Sequence, residues 1–258
     1  MTSWKITKPK KKPDLDSPLF IEGLPGIGNV GKIVVDYIIE ELEAEKIYSF
    51  FSYSLPHSVF VNEKSLVELP KIELYYKKNS NGKDLLLLTG DVQPTDEVSC
   101  YDFCEELLNL LSQFEVDEII TLGGIGLKEV PKKPKLYCTG PKKKSIQKYK
   151  KEKSISSDVF GVVGPIIGVS GVLLGLAGER DIDAVTLLSE TYAHPLFLGM
   201  KGARAILKGL NNIHDLKIDL KNLEKEIKEI EKNSGFGKKK KSKFLQKITR
   251  QKDTSYIG

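Results

Sequence analysis

Residues 19–32 read LFIEGLPGIGNVGK, and this stretch decides how the chain is interpreted. An apolar run leads into a glycine-rich turn, and apolar residues at helical spacing follow the turn directly. A buried strand that turns sharply into a helix produces this pattern. The stretch therefore predicts a strand at 19–24, a helix at 29–45 and the first β-α unit of an α/β fold.

Two nucleotide-binding motifs overlap in this loop. Gly26, Gly28 and Gly31 form G-x-G-x-x-G, and Gly26, Gly31 and Lys32 form most of a phosphate-binding P-loop. Each motif lacks the residue that supplies its chemistry. Position 33 is isoleucine where a P-loop places the Ser or Thr that ligates magnesium, and the second predicted strand has no acidic residue to hold a ribose. The glycines are therefore interpreted as structural, because glycine permits a sharp turn and a close approach of helix to sheet.

An alternative interpretation keeps a ligand at this loop. The N-terminus of a helix attracts anions even without a metal ion, so the loop amides and the lysine would hold a phosphate or a carboxylate. The candidate anion-binding residues are Gly26, Gly28, Asn29, Gly31 and Lys32. In this alternative the chain is a small-molecule or anion-binding α/β protein, or an enzyme.

The rest of the chain alternates between predicted strands and helices. Apolar runs at 84–89, 119–122 and 183–188 are typical of strands buried on both faces, and helical patterns cover 96–114 and 195–210. Shorter elements are strands at 47–53, 58–62, 66–69, 72–77 and 135–139 and a basic helix at 142–153. The alternation predicts an α/β fold with a mostly parallel sheet and helices on both faces. Such sheets bind ligands at the carboxyl ends of their strands.

Residues 159–178 form a stretch of twenty residues without a charge, which is long enough to span a membrane. Six glycines and Pro165 interrupt this stretch, and the surrounding pattern is that of a water-exposed α/β protein. We therefore expect a glycine-rich loop followed by a tightly packed helix at about 167–177, and no membrane partner.

The C-terminal third predicts an amphipathic helix at 213–232, since apolar residues recur there at spacings of three and four. Its apolar seam could pack on its own domain or on a second subunit. The predicted organisation is a basic flexible arm (1–17), an α/β domain (18–212), an amphipathic C-terminal helix (213–233) and a basic flexible tail (234–258).

Charge and cysteine content exclude some classes of function. The net charge of +5 arises from lysine-rich ends, which fit solubilising segments, so nucleic acid is not expected as a partner. Cys100, Cys104 and Cys138 form no C-x-x-C pair and have no neighbouring histidine, so we expect buried thiols and no metal site. No catalytic residues and no cofactor are predicted. Without a signal peptide pattern, the expected location is the cytoplasm.

Several motifs together resemble a known family. They are IEGLPGIGNVGKIVVDYIIEEL, LLLLTGDVQP, EIITLGGIG, GPIIGVSGVLLGLAG and the terminal SYIG. In this order and spacing the chain resembles the archaeal branch of the proteasome assembly chaperone family. The resemblance implies a fold similar to the purine nucleoside phosphorylase type without that enzyme's catalytic set. It also implies a non-enzymatic protein that forms a homo-oligomer and binds proteasome α subunits or the assembled proteasome core.

The resemblance extends to the end of the chain. Family members often carry a flexible tail with a hydrophobic-tyrosine-X ending that docks between α subunits, so the implied partner-binding residues are Tyr256, Ile257 and Gly258. Tyrosine is third from the end here, where the family places it second, and Ser255 precedes it. One residue of offset displaces the ring or the carboxylate by about 3.3 Å of extended chain.

Overall fold

The computed structural model describes residues 4–9, 11–62, 64–79 and 82–232. A nine-stranded mixed sheet forms the centre of the protein, and a separate two-stranded hairpin lies beside it. Helices pack on both faces of the sheet, which confirms the α/β class predicted from the sequence.

The strands in the described residues are β1 (Lys5–Thr7), β2 (Leu19–Gly23), β3 (Glu45–Phe51), β4 (Phe60–Val61), β5 (Val67–Glu68), β6 (Ile72–Lys77), β7 (Leu85–Gly90), β8 (Glu118–Leu127), β9 (Leu136–Thr139), β10 (Ile155–Ser156) and β11 (Ala184–Tyr192). The α-helices there are α1 (Val30–Glu41), α2 (Glu97–Leu111), α3 (Lys143–Lys150), α4 (Val169–Glu179), α5 (Met200–His214) and α6 (Lys221–Lys232). Most of these elements lie where the sequence predicts them, and Asp96 is the N-cap of α2, because its side chain accepts the Ser99 N–H.

The sheet is parallel at its centre and antiparallel at its flanks. Its strand order is β1-β3-β6-β7-β2-β8-β11-β9-β10. Strands β7, β2, β8 and β11 run parallel to one another, whereas β6 and β9 are antiparallel to their central neighbours. The carboxyl ends of the four central strands therefore meet at one edge of the sheet, which we call the strand-end edge.

The core consists of two apolar layers separated by the sheet. Helices α1, α5 and α6 cover one face, and α2 and α4 cover the other. Side chains of β2 alternate between the layers: Leu19 and Ile21 belong to the first, and Phe20 to the second. This burial on both faces explains why the central strands read as unbroken apolar runs.

The N-terminal segment differs from the predicted flexible arm. Lys5–Thr7 pairs antiparallel with β3 and closes one side of the sheet. Trp4 packs on Phe103 with ring centroids 4.6 Å apart. The surrounding lysines conceal this short strand in the sequence, while the apolar contacts of Trp4 and Ile6 hold it in place.

The predicted helix at 213–232 is divided in the structure. Ile213 belongs to the last turn of α5, and Asp215 ends that helix in a left-handed conformation with φ of 50°. The helix resumes only at Lys221, so the apolar seam is not continuous along one helix. Leu223 and Ile227 are buried against the chain's own core, which answers the question of where this helix packs.

The uncharged stretch at 159–178 is a loop followed by α4, as predicted. Val169, Leu173 and Ala177 of α4 are buried in the second layer. Among the described residues, none of the helices has the length and apolar character needed to cross a bilayer.

Two further element boundaries differ from prediction. Strand β8 continues through Gly123 and Gly124 to Leu127, because β11 pairs with it in parallel register over this whole length. The helix predicted to begin at 195 begins at Met200, and the intervening residues form a loop at the strand-end edge.

Candidate functional site

The crossing from β2 to α1 depends on glycine for close packing. Gly28 and Asn29 adopt left-handed conformations with φ of 63° and 52°. A Cβ on Gly31 would lie 2.6 Å from the carbonyl oxygen of Leu122, and a Cβ on Gly23 would lie 2.2 Å from the carbonyl oxygen of Gly31. Such distances are shorter than van der Waals contact, so α1 lies against the sheet as closely as glycine allows. The structural interpretation is supported for Gly28 by its left-handed φ and for Gly31 by its close approach to Leu122, whereas Gly26 shows neither feature.

Lys32 lies in the first turn of α1, and its ammonium group is buried against Asp36. The Nζ atom is 3.0 Å from Oδ2 of Asp36, and the two side chains are only 7% and 2% exposed. Thr89 donates its hydroxyl to the other carboxylate oxygen of Asp36 over 2.7 Å. The lysine charge is therefore matched within the interface between α1 and β7.

A first cleft of about 640 Å³ opens at the strand-end edge beside this crossing. Gly26, Gly28 and Asn29 line it from the loop, and Asp91 and His194 line it from the ends of β7 and β11. Three of the five candidate anion-binding residues thus share one cleft. The fourth, the glycine at position 31, lines the neighbouring cleft, and the lysine lines neither. Anion binding by this loop stays a prediction.

Asp91 makes the wall of the first cleft acidic. Burial raises the pKa of its carboxyl, and the nearby charge of Lys32 together with the Lys71 N–H opposes that shift. The Lys71 N–H donates to Asp91 Oδ2 over 3.1 Å. A carboxylate in this wall repels an incoming anion whenever it is ionised.

A buried carboxyl and a hydroxyl meet beneath the second cleft. Ser170, in the first turn of α4, donates its hydroxyl to Glu22 Oε2 over 2.8 Å, and the Leu24 N–H donates to Glu22 Oε1 over 2.8 Å. Glu22 is fully buried, and this burial raises the pKa of its carboxyl to about 7, although both hydrogen bonds oppose the shift. The sequence analysis did not select this pair. The available signal was the single charge within the apolar strand LFIEG.

Exposed apolar side chains gather at the strand-end edge. We define the strand-end apolar surface as Ile27, Val59, Val61, Phe160, Ile167 and Leu196, which are all at least half exposed. Val61 belongs to β4, and the others belong to the segments that follow β2, β3 and β11 and to the loop that precedes α4. Phe160 and Ile167 are 98% and 83% exposed. Exposed apolar groups at one edge of a protein are typical of interaction surfaces.

The end of α6 reaches the same edge. Ile227 and Ile230 of α6 line a groove of about 130 Å³ together with Val130 and Phe197 from the loops after β8 and β11. The C-terminal part of α6 therefore lies beside the loop after β11, which contributes Leu196 to the strand-end apolar surface. The predicted partner-binding residues Tyr256, Ile257 and Gly258 lie outside the described residues.

The cysteines are buried and unbridged, as predicted: Cys100, Cys104 and Cys138 are free thiols. Within the part of the chain that the structure describes, His, Cys, Asp and Glu side chains form no group of three that could hold a metal ion.

These features define an open α/β protein in which a nucleotide-like glycine motif packs a helix on the sheet and the strand ends present an apolar surface. Residues 20–234 match the PAC2 family, and the chain belongs to this family. The resemblance inferred from the sequence motifs is confirmed.

Individual relatives cover nearly the whole chain. An uncharacterized protein of Methanocaldococcus jannaschii, MJ1210, is 28% identical over 248 residues, which are 95% of this chain and 93% of that protein. The crystal structure of Pyrococcus furiosus PbaB, described as an archaeal proteasome activator, is 34% identical with a TM-score of 0.81 and covers 90% of this chain and 97% of PbaB. Pyrococcus furiosus PbaA, described as an archaeal homolog of proteasome-assembly chaperone, shares the fold at 22% identity, a TM-score of 0.71 and coverage of 89% and 94%.

Proposed function

We propose that this protein is a non-enzymatic proteasome-binding factor that acts as an assembly chaperone or an activator by engaging proteasome α subunits. The observation that carries the proposal is its similarity to PbaB, which extends over 90% of this chain and 97% of PbaB at 34% identity. Similarity over both whole chains favours a shared mode of action more than similarity confined to one motif.

The strand-end apolar surface supports a macromolecular partner. Six large apolar side chains at one edge are solvent-exposed in the isolated chain, and covering them with a partner is favourable by about 25 cal/mol per Å² of apolar area. Phe160 supplies the largest and most exposed of these side chains, and aromatic side chains are enriched among the residues that dominate binding energies.

The position of α6 supports a role for the C-terminal tail. Helix α6 ends beside the strand-end apolar surface, and the residues that follow it in the sequence include Tyr256, Ile257 and Gly258. A tail and a surface on one edge would engage the same partner together, and two linked contacts bind more tightly than either alone. We therefore include tail docking in the proposal.

The absence of enzymatic activity is part of the proposal. The P-loop-like motif has isoleucine at position 33, and the ammonium group of Lys32 is held by Asp36 at 3.0 Å. Both features favour a structural role for the loop that most resembles a catalytic motif.

We also propose a homo-oligomer, whose native mass measured by light scattering would exceed the 28.8 kDa of one chain.

A pull-down with recombinant archaeal proteasome α subunits tests the proposal. The full chain is compared with a chain truncated after Asn233, which retains every helix and strand in the described part. We expect the full chain to retain α subunits and the truncated chain to retain less. Equal retention by the two chains would contradict tail docking alone, and no retention by either chain would refute the proposed function.

A further inference from the structure

The second cleft at the strand-end edge lies where an α/β sheet most often binds a ligand. It opens between the end of β2 and the second half of β8. The strand order reverses at this place: β7, the next central strand in the chain after β2, lies on one side of β2, whereas β8 and β11 lie on the other. Crevices at such reversals, outside the carboxyl ends of the strands, are the usual ligand sites of open α/β sheets.

The cleft has the size and the walls of a small-molecule site. Its volume is about 520 Å³, within the range of roughly 300–1,000 Å³ that ligand pockets occupy. Gly123 and Gly124 form its floor, and Ile27 and Ile125 form its sides. At Gly123 a flat molecule can approach the strand backbone beside the Leu188 side chain, whereas the Ile27 carbonyl occupies the side-chain position of Gly124.

Residues 162–167 form the roof of the cleft, and this roof is held against α4. A Cβ on Gly171 would lie 1.9 Å from the carbonyl oxygen of Ile166, so the roof touches the helix backbone there. Gln93 braces the other side: its amide donates to the Pro25 carbonyl over 2.7 Å, and its oxygen accepts the Val169 N–H over 3.1 Å. The cleft is therefore formed before any ligand arrives, which reduces the entropy lost on binding.

The polar groups of the cleft select the charge of its ligand. Ser170 lines the cleft and gives its proton to the buried Glu22, so the Ser170 oxygen keeps lone pairs that can accept a hydrogen bond from a ligand. Lys, Arg and His are absent from the lining residues that the structure describes. The other titratable groups that act on Glu22 are the buried thiols Cys100 and Cys104, which carry no positive charge. An anion would be desolvated here without a cation to offset it.

We propose that this cleft binds a small, flat, largely apolar molecule bearing an amine or another N–H donor, with the ring beside the Gly123 backbone and the N–H donating to Ser170 Oγ. This site does not depend on the proposed proteasome binding. It shares Gly26 and Gly31 with the predicted anion site but differs from it, because its polar end is acidic and its lining lacks Lys32.

A pair of probes with the same ring and opposite charge tests the assignment. The full chain, labelled with ¹⁵N, is titrated with benzylamine and with benzoate at millimolar concentration. We expect benzylamine to shift the amide signals of Gly123, Gly124 and Gly171, and we expect benzoate to leave them unchanged. Absence of benzylamine shifts, or equal shifts by benzoate, would overturn the proposal.

Two glycine substitutions distinguish the effect of filling the cleft from the effect of damaging the fold. Gly164 lines the cleft and has no atom within 4 Å of an added Cβ, so Gly164→Leu adds a bulky side chain to the cleft lining without a steric clash. Gly175, on the exposed face of α4, has equally open space, so Gly175→Leu is the matched control. We expect Gly164→Leu to abolish the benzylamine shifts and Gly175→Leu to preserve them. Unchanged benzylamine binding by Gly164→Leu would overturn the proposal.

Removal of the hydroxyl tests the polar contact. Ser170→Ala removes the acceptor while the walls remain, and we expect the dissociation constant for benzylamine to rise roughly tenfold, as for loss of one hydrogen bond to a charged group. Unchanged affinity would contradict the assigned contact.

The proteasome pull-down is repeated with Gly164→Leu, which we expect to retain α subunits. Loss of α subunits without any probe binding would identify the cleft as a protein contact and overturn the small-molecule proposal.

Discussion

Ser170 Oγ lies 2.8 Å from Glu22 Oε2, and this hydrogen bond joins the first turn of α4 to the end of the central strand β2. The carboxyl group is fully buried. Hydrogen bonds from Ser170 and from the backbone stabilise its charged form, and none of these bonds comes from a basic side chain. Burying an ionisable group in this way reduces the stability of the charged state, which makes the folded protein sensitive to pH.

Glu22 is expected to make the free energy of unfolding fall as the pH rises. The pKa of its carboxyl is 4.5 in the reference state and about 7 in the folded protein, so the folded state binds the proton more tightly. The stabilisation is fully present below pH 4.5 and is lost as the pH rises to about 7. We predict that Glu22→Gln removes roughly 3 kcal/mol of pH dependence over this window. Urea unfolding of both proteins across the window measures the difference.

The wild type must be compared with Glu22→Gln because the titration of His214 changes the stability with pH in the opposite direction. Burial lowers the pKa of the His214 imidazole from 6.5 to about 3, so its contribution to stability is lost as the pH falls through that range. The difference between the wild type and Glu22→Gln isolates the carboxyl. Identical pH profiles for the two proteins would show that Glu22 titrates normally.

The buried pair of Lys32 and Asp36 is expected to stabilise the fold. Replacing the lysine by methionine leaves a carboxylate that is 2% exposed without its cation, and breaking a buried pair in this way costs about 3–5 kcal/mol. Lys71→Met is the control, because the Lys71–Glu68 pair is 48% and 43% exposed and should contribute less than about 1 kcal/mol. Chemical denaturation measures both. Equal losses would contradict a structural role for Lys32.

The glycines of the opening motif are expected to differ in their tolerance of a methyl group. Gly31→Ala places a Cβ 2.6 Å from the Leu122 carbonyl oxygen and should destabilise the protein by about 1–3 kcal/mol, as overpacking does. Gly26→Ala meets nothing within 4 Å and should have little effect on thermal stability. A larger loss for Gly26→Ala than for Gly31→Ala would contradict the packing role of Gly31.

The strand-end apolar surface is expected to contribute to partner binding. Phe160→Asp changes a side chain that is 98% exposed, so the fold should be unaffected, while the affinity for proteasome α subunits should fall about tenfold or more, as at an interface hot spot. Lys150→Asp is the control, because it introduces the same carboxylate in α3. Helix α3 lies at the opposite edge of the sheet, where its Lys148 is 2.7 Å from Glu118. Surface plasmon resonance compares the two variants. Similar affinities would exclude the surface from the interface.

The sequence predicts the regular parts of the fold because burial leaves a direct trace in residue spacing. Central strands such as β7 read as apolar runs, and the glycines before α1 mark the crossing. Strand β1 is hidden because its stability comes from pairing with β3 and from the contact of Trp4 with Phe103, both distant in the sequence. The seam at 213–232 predicted one helix because spacing does not reveal the left-handed residue Asp215 that interrupts it.

The candidate site was predictable only in part. The strand ends and the glycine loop were located from the sequence, since topology brings parallel strand ends to one edge. The bond between Glu22 and Ser170 joins residues 148 positions apart, and such a contact follows from the packing of α4 on the sheet rather than from any local pattern. Likewise, the motif does not reveal that Lys32 pairs with Asp36, because the same spacing occurs in loops that bind phosphate.

Sedimentation velocity of the full chain mixed with a reconstituted archaeal proteasome core tests the central claim most directly, because it measures association in solution without a tag or a surface. The account predicts that the chain co-sediments with the core and that the truncation after Asn233 weakens this association. If the full chain sediments at the rate of the free protein at every core concentration, the proposed proteasome-binding function is contradicted.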